Sequence, residues 1–117
     1  MDCEVLYTEE FGAWWESLTE AEQESVAVGV GLLEMKGVNL PFPYSSGIQG
    51  SRHGHMRELR IQHAGNPYRI LYVFDPRRKA VLLMGARKGG NSLWYEKYVP
   101  IADRIYDQYS RGLGRRV

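Results

Sequence analysis

The sequence predicts an α+β domain: two N-terminal helices packed on a small, twisted, mostly antiparallel sheet of four strands, with a closing C-terminal helix. Three observations carry that expectation. Phe11, Trp14, Trp15 and Leu18 fall at i, i+3, i+4 and i+7, the spacing of one buried helix face. Three β-rich runs, 57–63, 68–74 and 80–87, are separated only by segments of turn-forming residues. Pro100 suits the first turn of a last helix, in which Ile101, Ile105, Tyr106 and Tyr109 share a face.

The elements follow in order. Residues 4–7 read as a short first strand. Thr8 can cap a helix over 9–18, with Glu9 and Glu10 in the first turn, where the dipole favours acids. Thr19-Glu20-Ala21-Glu22 is a capping box that opens a second helix. That helix places Ala21, Val28, Leu32 and Met35 on one side and stops at Gly37. The pair reads as a helical hairpin with Trp14 and Trp15 in its core rather than as a base-stacking surface. Residues 39–55 carry Pro41, Pro43, Gly47, Gly50 and Gly54 and read as one long loop, a common place for function. Turns at 64–67 and 75–79 make the next three strands antiparallel neighbours, and 89–91 is another loop. The last helix is expected to end near Tyr109, leaving 110–117 as a flexible basic tail of a single domain, 1–117.

At 117 residues the chain is one domain by length, able to bury roughly two-thirds of its surface without a metal or disulfide. The single cysteine, Cys3, cannot pair internally, as expected of a reducing compartment. The acidic N-terminus lacks the basic-then-apolar run of a signal peptide, and the apolar runs 26–33 and 80–86 are too short to span a bilayer. A cytoplasmic protein is expected. The net charge of +1 conceals a segregation: residues 1–50 hold nine acids and one base, whereas 51–117 hold fourteen bases and five acids. Such a chain can show a basic surface to a polyanion; an acidic helix pair beside an ordinary basic half accounts for it equally well.

The cations cluster on the strands. If His63 opposes Tyr68 and Phe74 opposes Ala80, then Arg69 opposes Gly85 and Pro67 opposes Arg87. Arg60, Gln62, Arg69, Gly85 and Arg87 then share an open face, with Gly85 leaving room beside Arg69. Leu59, Ile61, Ile70, Tyr72, Phe74, Leu82 and Met84 share the other, under the helices. Arg60 and Arg69 either form salt bridges, for instance with Glu58 or Asp103, or grip a phosphate through their planar guanidinium groups. Lys88 precedes a glycine loop that lacks the P-loop pattern. Tyr95 either packs the last helix on the sheet or works as a stacking or proton-accepting group, its pKa lowered by nearby cations. His53, His55 and His63 lack the partners of a zinc site, so no metal and no cofactor is expected. Fixed cations with a phenol close by suit an RNA phosphate. Arg52, His53, Arg57, Arg77, Arg78, Arg87 and Lys97 are candidate RNA contacts, the basic turn at 77–79 away from the centre.

Taken together, Gly50-Ser51-Arg52-His53, Arg57-Glu58-Leu59-Arg60, Tyr68-Arg69-Ile70, Phe74-Asp75-Pro76-Arg77-Arg78, Lys88, Tyr95-Glu96 and Pro100-Ile101-Ala102-Asp103 resemble, in order and spacing, the RelE/HigB superfamily of type II toxin–antitoxin toxins. The HigB-like, phage-derived branch is the most similar. The resemblance implies a RelE-like fold and messenger-RNA cleavage, usually on the ribosome. It also implies neutralisation by a cognate antitoxin, commonly a helix-turn-helix DNA-binding protein. By position it makes Arg60, Arg69, Lys88 and Tyr95 the catalytic set. The mechanism expected is metal-independent attack of a ribose 2′-OH on its own phosphate. In it Tyr95 accepts the proton, Lys88 or Arg69 donates one or stabilises charge, and Arg60 and Arg69 clamp the phosphate. The alternatives are a non-catalytic module that binds RNA or a partner through the same face, and a purely structural subunit.

Overall fold

Two threonines start the N-terminal helices, as their sequence context predicts. Thr8 Oγ1 accepts the Phe11 N–H at 3.2 Å and donates to Leu83 O at 2.6 Å, so one cap also ties its helix to the sheet. Thr19 and Glu22 complete the capping box. In this computed structural model, which describes residues 3–90 and 92–115, β1 (Val5–Tyr7) precedes α1 (Glu9–Ser17) and α2 (Glu20–Lys36). Then come β2 (Ser45–Gly47), β3 (Arg57–His63), β4 (Asn66–Phe74), β5 (Ala80–Arg87) and α3 (Trp94–Arg115).

The sheet has five strands in the order β1-β5-β4-β3-β2, not four. The extra strand, β2, lies inside the segment expected to be a loop. Its Ser-Ser-Gly has little strand propensity of its own, and the pairing Ser45↔Leu59, Ser46↔Glu58, Gly47↔Arg57 is imposed by β3. β1 joins β5 in parallel and makes the sheet mixed; the connection between them runs through both helices and through β2, β3 and β4.

Helices cover both faces. On one, Phe11, Val26 and Leu33 pack on Leu59, Ile61, Tyr68, Ile70, Tyr72 and Leu82. On the other, Trp94, Val99, Ala102 and Ile105 of α3 pack on Leu71, Val73, Val81, Leu83 and Met84. Each such aliphatic side chain taken from water contributes roughly 1.5–3 kcal/mol. The expectation of an open cationic face is therefore corrected: α3 covers much of it, and the part at the β3–β4 hairpin end, with Arg60, Gln62 and Pro67, stays accessible.

The registers refine which residues share a face. Ala64 and Gly65, at φ 51° and 79°, close a two-residue hairpin. His63 thus pairs with Asn66 rather than Tyr68, and Arg60 stands directly opposite Arg69. The slip of two residues preserves facing, so these arginines do share a side. On β5 the expected pair Phe74↔Ala80 holds, but a bulge at Leu71/Tyr72 shifts everything beyond it by one. A one-residue shift exchanges faces. Ile70↔Gly85 and Tyr68↔Arg87 consequently lie under the N-terminal helices, whereas Met84 turns to α3. Gly85 gives no space beside Arg69; a Cβ there would run into the Trp14 ring. Gly85→Ala is expected to destabilise the fold by about 1–3 kcal/mol through overpacking. An unchanged melting temperature would mean that Trp14 is seated elsewhere.

Two helix readings also change. The buried side of α2 is Val26, Gly29 and Leu33, while Val28 and Met35 are 67% and 61% exposed. Gly29 sets this face: a Cβ there would lie 3.0 Å from Ile61 Cγ1, so glycine lets helix and sheet touch. α3 begins at Trp94, with Pro100 inside it. Trp94 is almost wholly buried and its Nε1 donates to Arg87 O at 3.2 Å, which anchors the turns ahead of the proline. The helix continues through the expected tail to Arg115; residues 116 and 117 lie outside the described residues. Among the described residues no helix is long and apolar enough to cross a membrane.

Candidate active site

Glu58 is the centre of the site. It sits on β3 two residues before Arg60, on the same face, and is buried. Its Oε2 accepts Arg60 Nη1 at 3.1 Å and Ser46 Oγ at 2.6 Å. Its Oε1 accepts the Tyr95 hydroxyl at 2.5 Å and lies 3.4 Å from Arg69 Nε. Two cations placed directly opposite across a ladder repel each other. The carboxylate between them makes the pair Arg60↔Arg69 tolerable.

Arg69 is buried and Arg60 half-buried. Arg69 Nη1 donates to Tyr68 O at 3.0 Å. Its Nε is buried without a hydrogen bond among the described residues, although Glu58 stands at ion-pair distance. Arg60 and Arg69 line a cleft of about 620 Å³ together with Pro43, Tyr44, Gln62 and Pro67. Lys88 Nζ lies 5.6 Å from the centre of the Tyr95 ring, at the end of β5. The fold thus brings all four expected catalytic residues, Arg60, Arg69, Lys88 and Tyr95, into one connected cluster. Three cations against one carboxylate leave it positive.

Tyr95 departs from its expected chemistry. Burial, and next the hydrogen bond to Glu58, hold its phenol above the ordinary value, and Arg69 only partly opposes them. The hydroxyl is therefore protonated near neutral pH and donates to Glu58. The lowered pKa expected from the sequence is overturned because the phenol is buried and its hydroxyl bonds an acid.

With this geometry in place, relatives add a family. A model described as phage-derived Gp49-like protein matches residues 13–107. HigB3 of Mycobacterium tuberculosis, a toxin by name, is 39% identical over 101 residues, covering 86% of this chain and 87% of that protein. The chain belongs to the Gp49-like, HigB-like toxin family. HigB2 of the same organism, also named as a toxin, is 34% identical over 103 residues, or 86% of this chain; the match spans about half of HigB2, 51%. The resemblance read from the motifs, to the HigB-like phage-derived branch, holds.

Most of the other expected RNA contacts of this Gp49-like protein are engaged elsewhere. Arg52 Nη2 donates to Asp107 at 2.6 Å, His53 Nε2 lies 2.9 Å from the same carboxylate, and Ser51 Oγ donates to Asp103 at 2.6 Å. These bonds latch the 50–55 loop onto α3. Arg57 lies on the opposite face from Arg60 and donates to Ser45 Oγ at 3.0 Å. Arg77 is held by the buried Asp75 at 2.9 Å, and Arg78 is exposed in the same turn, at the far end of β4. Arg87 is exposed, on the wrong face, and bonds Asn66. Lys97 is exposed on α3 with its Nζ over the Tyr98 ring at 5.0 Å. None of these seven joins the central cluster. His55 is exposed, His63 bonds Ser25, and among the described residues no three His, Cys, Asp or Glu side chains gather as for a metal.

The latch has a pH signature. The Arg52 hydrogen bond, aided by His53, holds the Asp107 carboxyl below its usual range. A carboxyl depressed in the folded state stabilises above its unfolded pKa, about 3.9, and loses that contribution as pH falls through the folded value. Asp107→Asn is therefore expected to flatten the fall in melting temperature below about pH 4. An identical acid limb in wild type and variant would contradict the latch.

From the sequence alone Glu58 is no more than a possible salt-bridge partner, and Ser46 does not stand out. The available signal was i, i+2 spacing: in Glu58-Leu59-Arg60 the carboxylate must share the face of the arginine. Ser46 carried no signal, since β2 was not foreseen.

Proposed function

We propose that this Gp49-like protein is the toxin of a type II toxin–antitoxin module and cuts messenger RNA, in the ribosome, by attack of a ribose 2′-OH on the adjacent phosphate. The names of the relatives support the toxin role. The observation that supports the chemistry is the convergence of two guanidinium groups, Arg60 and Arg69, on one open cleft around a shared carboxylate, with Tyr95 bonded to that carboxylate and Lys88 beside the Tyr95 ring. Arginine holds phosphate oxygens in two places, and a guanidinium pair fixed by a sheet stabilises the charge of the transition state without reorganising.

The 2′ oxygen bonds to phosphorus and the bond to the 5′ oxygen breaks, leaving a 2′,3′-cyclic phosphate and a 5′-hydroxyl. Because the nucleophile is part of the substrate, positioning supplies much of the rate. Tyr95 takes the 2′ proton as its own passes to Glu58; a protonated phenol and a carboxylate together accept what neither the isolated phenol nor a remote acid could. Lys88 protonates the departing 5′ oxygen. Arg60 and Arg69 hold the phosphate oxygens from the cleft they already line. A cognate antitoxin, of the helix-turn-helix DNA-binding kind, would neutralise the cluster, and the protein would work in the cytoplasm, where its messages are.

The test is translation in vitro. Wild-type protein is expected to cut message, Lys88→Ala to cut about a hundredfold more slowly, and Tyr95→Phe to be similarly slow because the relay is broken. Cleavage unchanged in both variants would refute the mechanism. One observation favours a second reading, a non-catalytic module: in the free chain Glu58 already engages both arginines. Wild-type protein that occupies ribosomes yet leaves messages whole would select it.

A further inference from the structure

Two aromatic side chains stand in solvent beside the arginine pair. Phe42 is 68% exposed and Tyr44 48%. Neither belongs to a core, so neither gains much from folding, and large exposed aromatics at a cleft commonly serve a ligand. Their backbone is nonetheless held. The N–H groups of Tyr44 and Ser45 donate to Pro41 O at 3.0 and 3.1 Å, and Tyr44 O accepts the Arg60 N–H at 2.9 Å. Pro41 and Pro43 restrict the same segment. The Arg60 guanidinium lies over the Phe42 ring, 5.1 Å from its centre, so this ring adjoins the residues that line the cleft without being one of them. Tyr44 and Pro43 wall the cleft, and Arg60, Arg69 and the exposed Gln62 line it; no carboxylate is among the residues that line it.

We propose that Phe42 and Tyr44 form a stacking platform for an unpaired RNA base next to the phosphate held by Arg60 and Arg69, with Gln62 bonding the base edge. This rests on the RNA-cutting reading and adds its nucleotide subsite. Base faces stack on aromatic rings whatever the base, and a positive groove tracks the backbone beside them. A side-chain amide both donates and accepts, so Gln62 is the group able to prefer one base edge over another. A purely anionic ligand would use the arginines alone and gain nothing from the two rings. A carboxylate-bearing protein segment would be served equally by the cations but needs no flat faces at this height.

The probe is a five-nucleotide RNA, 2′-O-methylated throughout so that it cannot be cut, with 2-aminopurine at its centre. On titration with the full chain its fluorescence is expected to quench, and an otherwise identical strand lacking the central base to bind about tenfold or more weakly. Tyr44→Ala is expected to abolish the quench and remove the preference for the base-bearing strand, and Phe42→Ser to weaken both; Tyr44→Trp, which keeps the ring, is expected to retain them. Equal affinity for the two strands, or a quench intact in Tyr44→Ala, would overturn the platform. So would intact RNA binding by these variants combined with weakened binding of the antitoxin, which would make the patch a protein surface. Message cleavage by wild type in the translation mixture is read separately, so the platform can fail while the nuclease reading stands.

Discussion

Arg69→Ala is expected to slow message cleavage by at least about a hundredfold, the usual cost of losing a preorganised charged donor at a developing anion. The effect on stability should be large too, because the change leaves Glu58 with one fewer partner in a buried setting. Breaking a buried ion pair from one side costs roughly 3–5 kcal/mol, and here Arg60, Ser46 and Tyr95 still satisfy the carboxylate, so the lower end applies. A rate measured on a half-unfolded sample would prove nothing, so Arg69→Lys is the control. It keeps the charge near Glu58 but loses the planar fork. It is expected to melt close to wild type and still cleave poorly. Arg69→Lys with full activity would show that a point charge suffices and that the two-pronged grip is dispensable.

Glu58→Gln is expected to destabilise the free protein by about 3 kcal/mol, or roughly 10 °C in melting temperature, since two guanidinium groups opposed across a ladder lose the charge that joins them. Inorganic phosphate should restore part of that loss and should stabilise the variant more than wild type, because the anion no longer competes with a resident carboxylate. The same variant removes the final proton acceptor, so cleavage should fall even where phosphate has rescued the fold. A variant that melts like wild type, or that phosphate leaves unmoved, would mean that Glu58 does not hold the arginines together.

Much of the scaffold was legible from local chemistry. Thr8 and Thr19 announce their helices because a capping side chain is a local matter, and the runs at 57–63 and 80–87 announce strands because their composition admits little else. The sharing of one face by Arg60 and Arg69 survived a register error, since a slip of two residues leaves parity intact. What escaped was decided by partners distant in sequence. The bulge near Leu83 puts consecutive residues on one face and carries no mark in composition, yet it sends Gly85 and Arg87 to the wrong side. β2 exists only because β3 offers it an edge. Gly29 is the contact face of α2, and a pattern built on large apolar residues overlooks it. α3 starts six residues ahead of Pro100 because Trp94 is buried against the sheet, a tertiary fact that outweighs the local preference of proline for a first turn. Within the site, the four catalytic candidates were visible as two arginines in strand interiors, a lysine just past a strand end and a phenol ahead of the last helix. The part of Glu58 was not, because only the folded sheet shows that its carboxylate reaches Arg60, Arg69 and Tyr95 at once.

The most direct test examines the chemical ends of RNA. Wild-type chain is added to a translating mixture, and the cut message is recovered and its termini identified. Attack by the neighbouring 2′ oxygen predicts a 2′,3′-cyclic phosphate on the upstream fragment and a free 5′-hydroxyl on the downstream one. A 5′-phosphate on the downstream fragment, or a message left intact by wild type, would contradict the account.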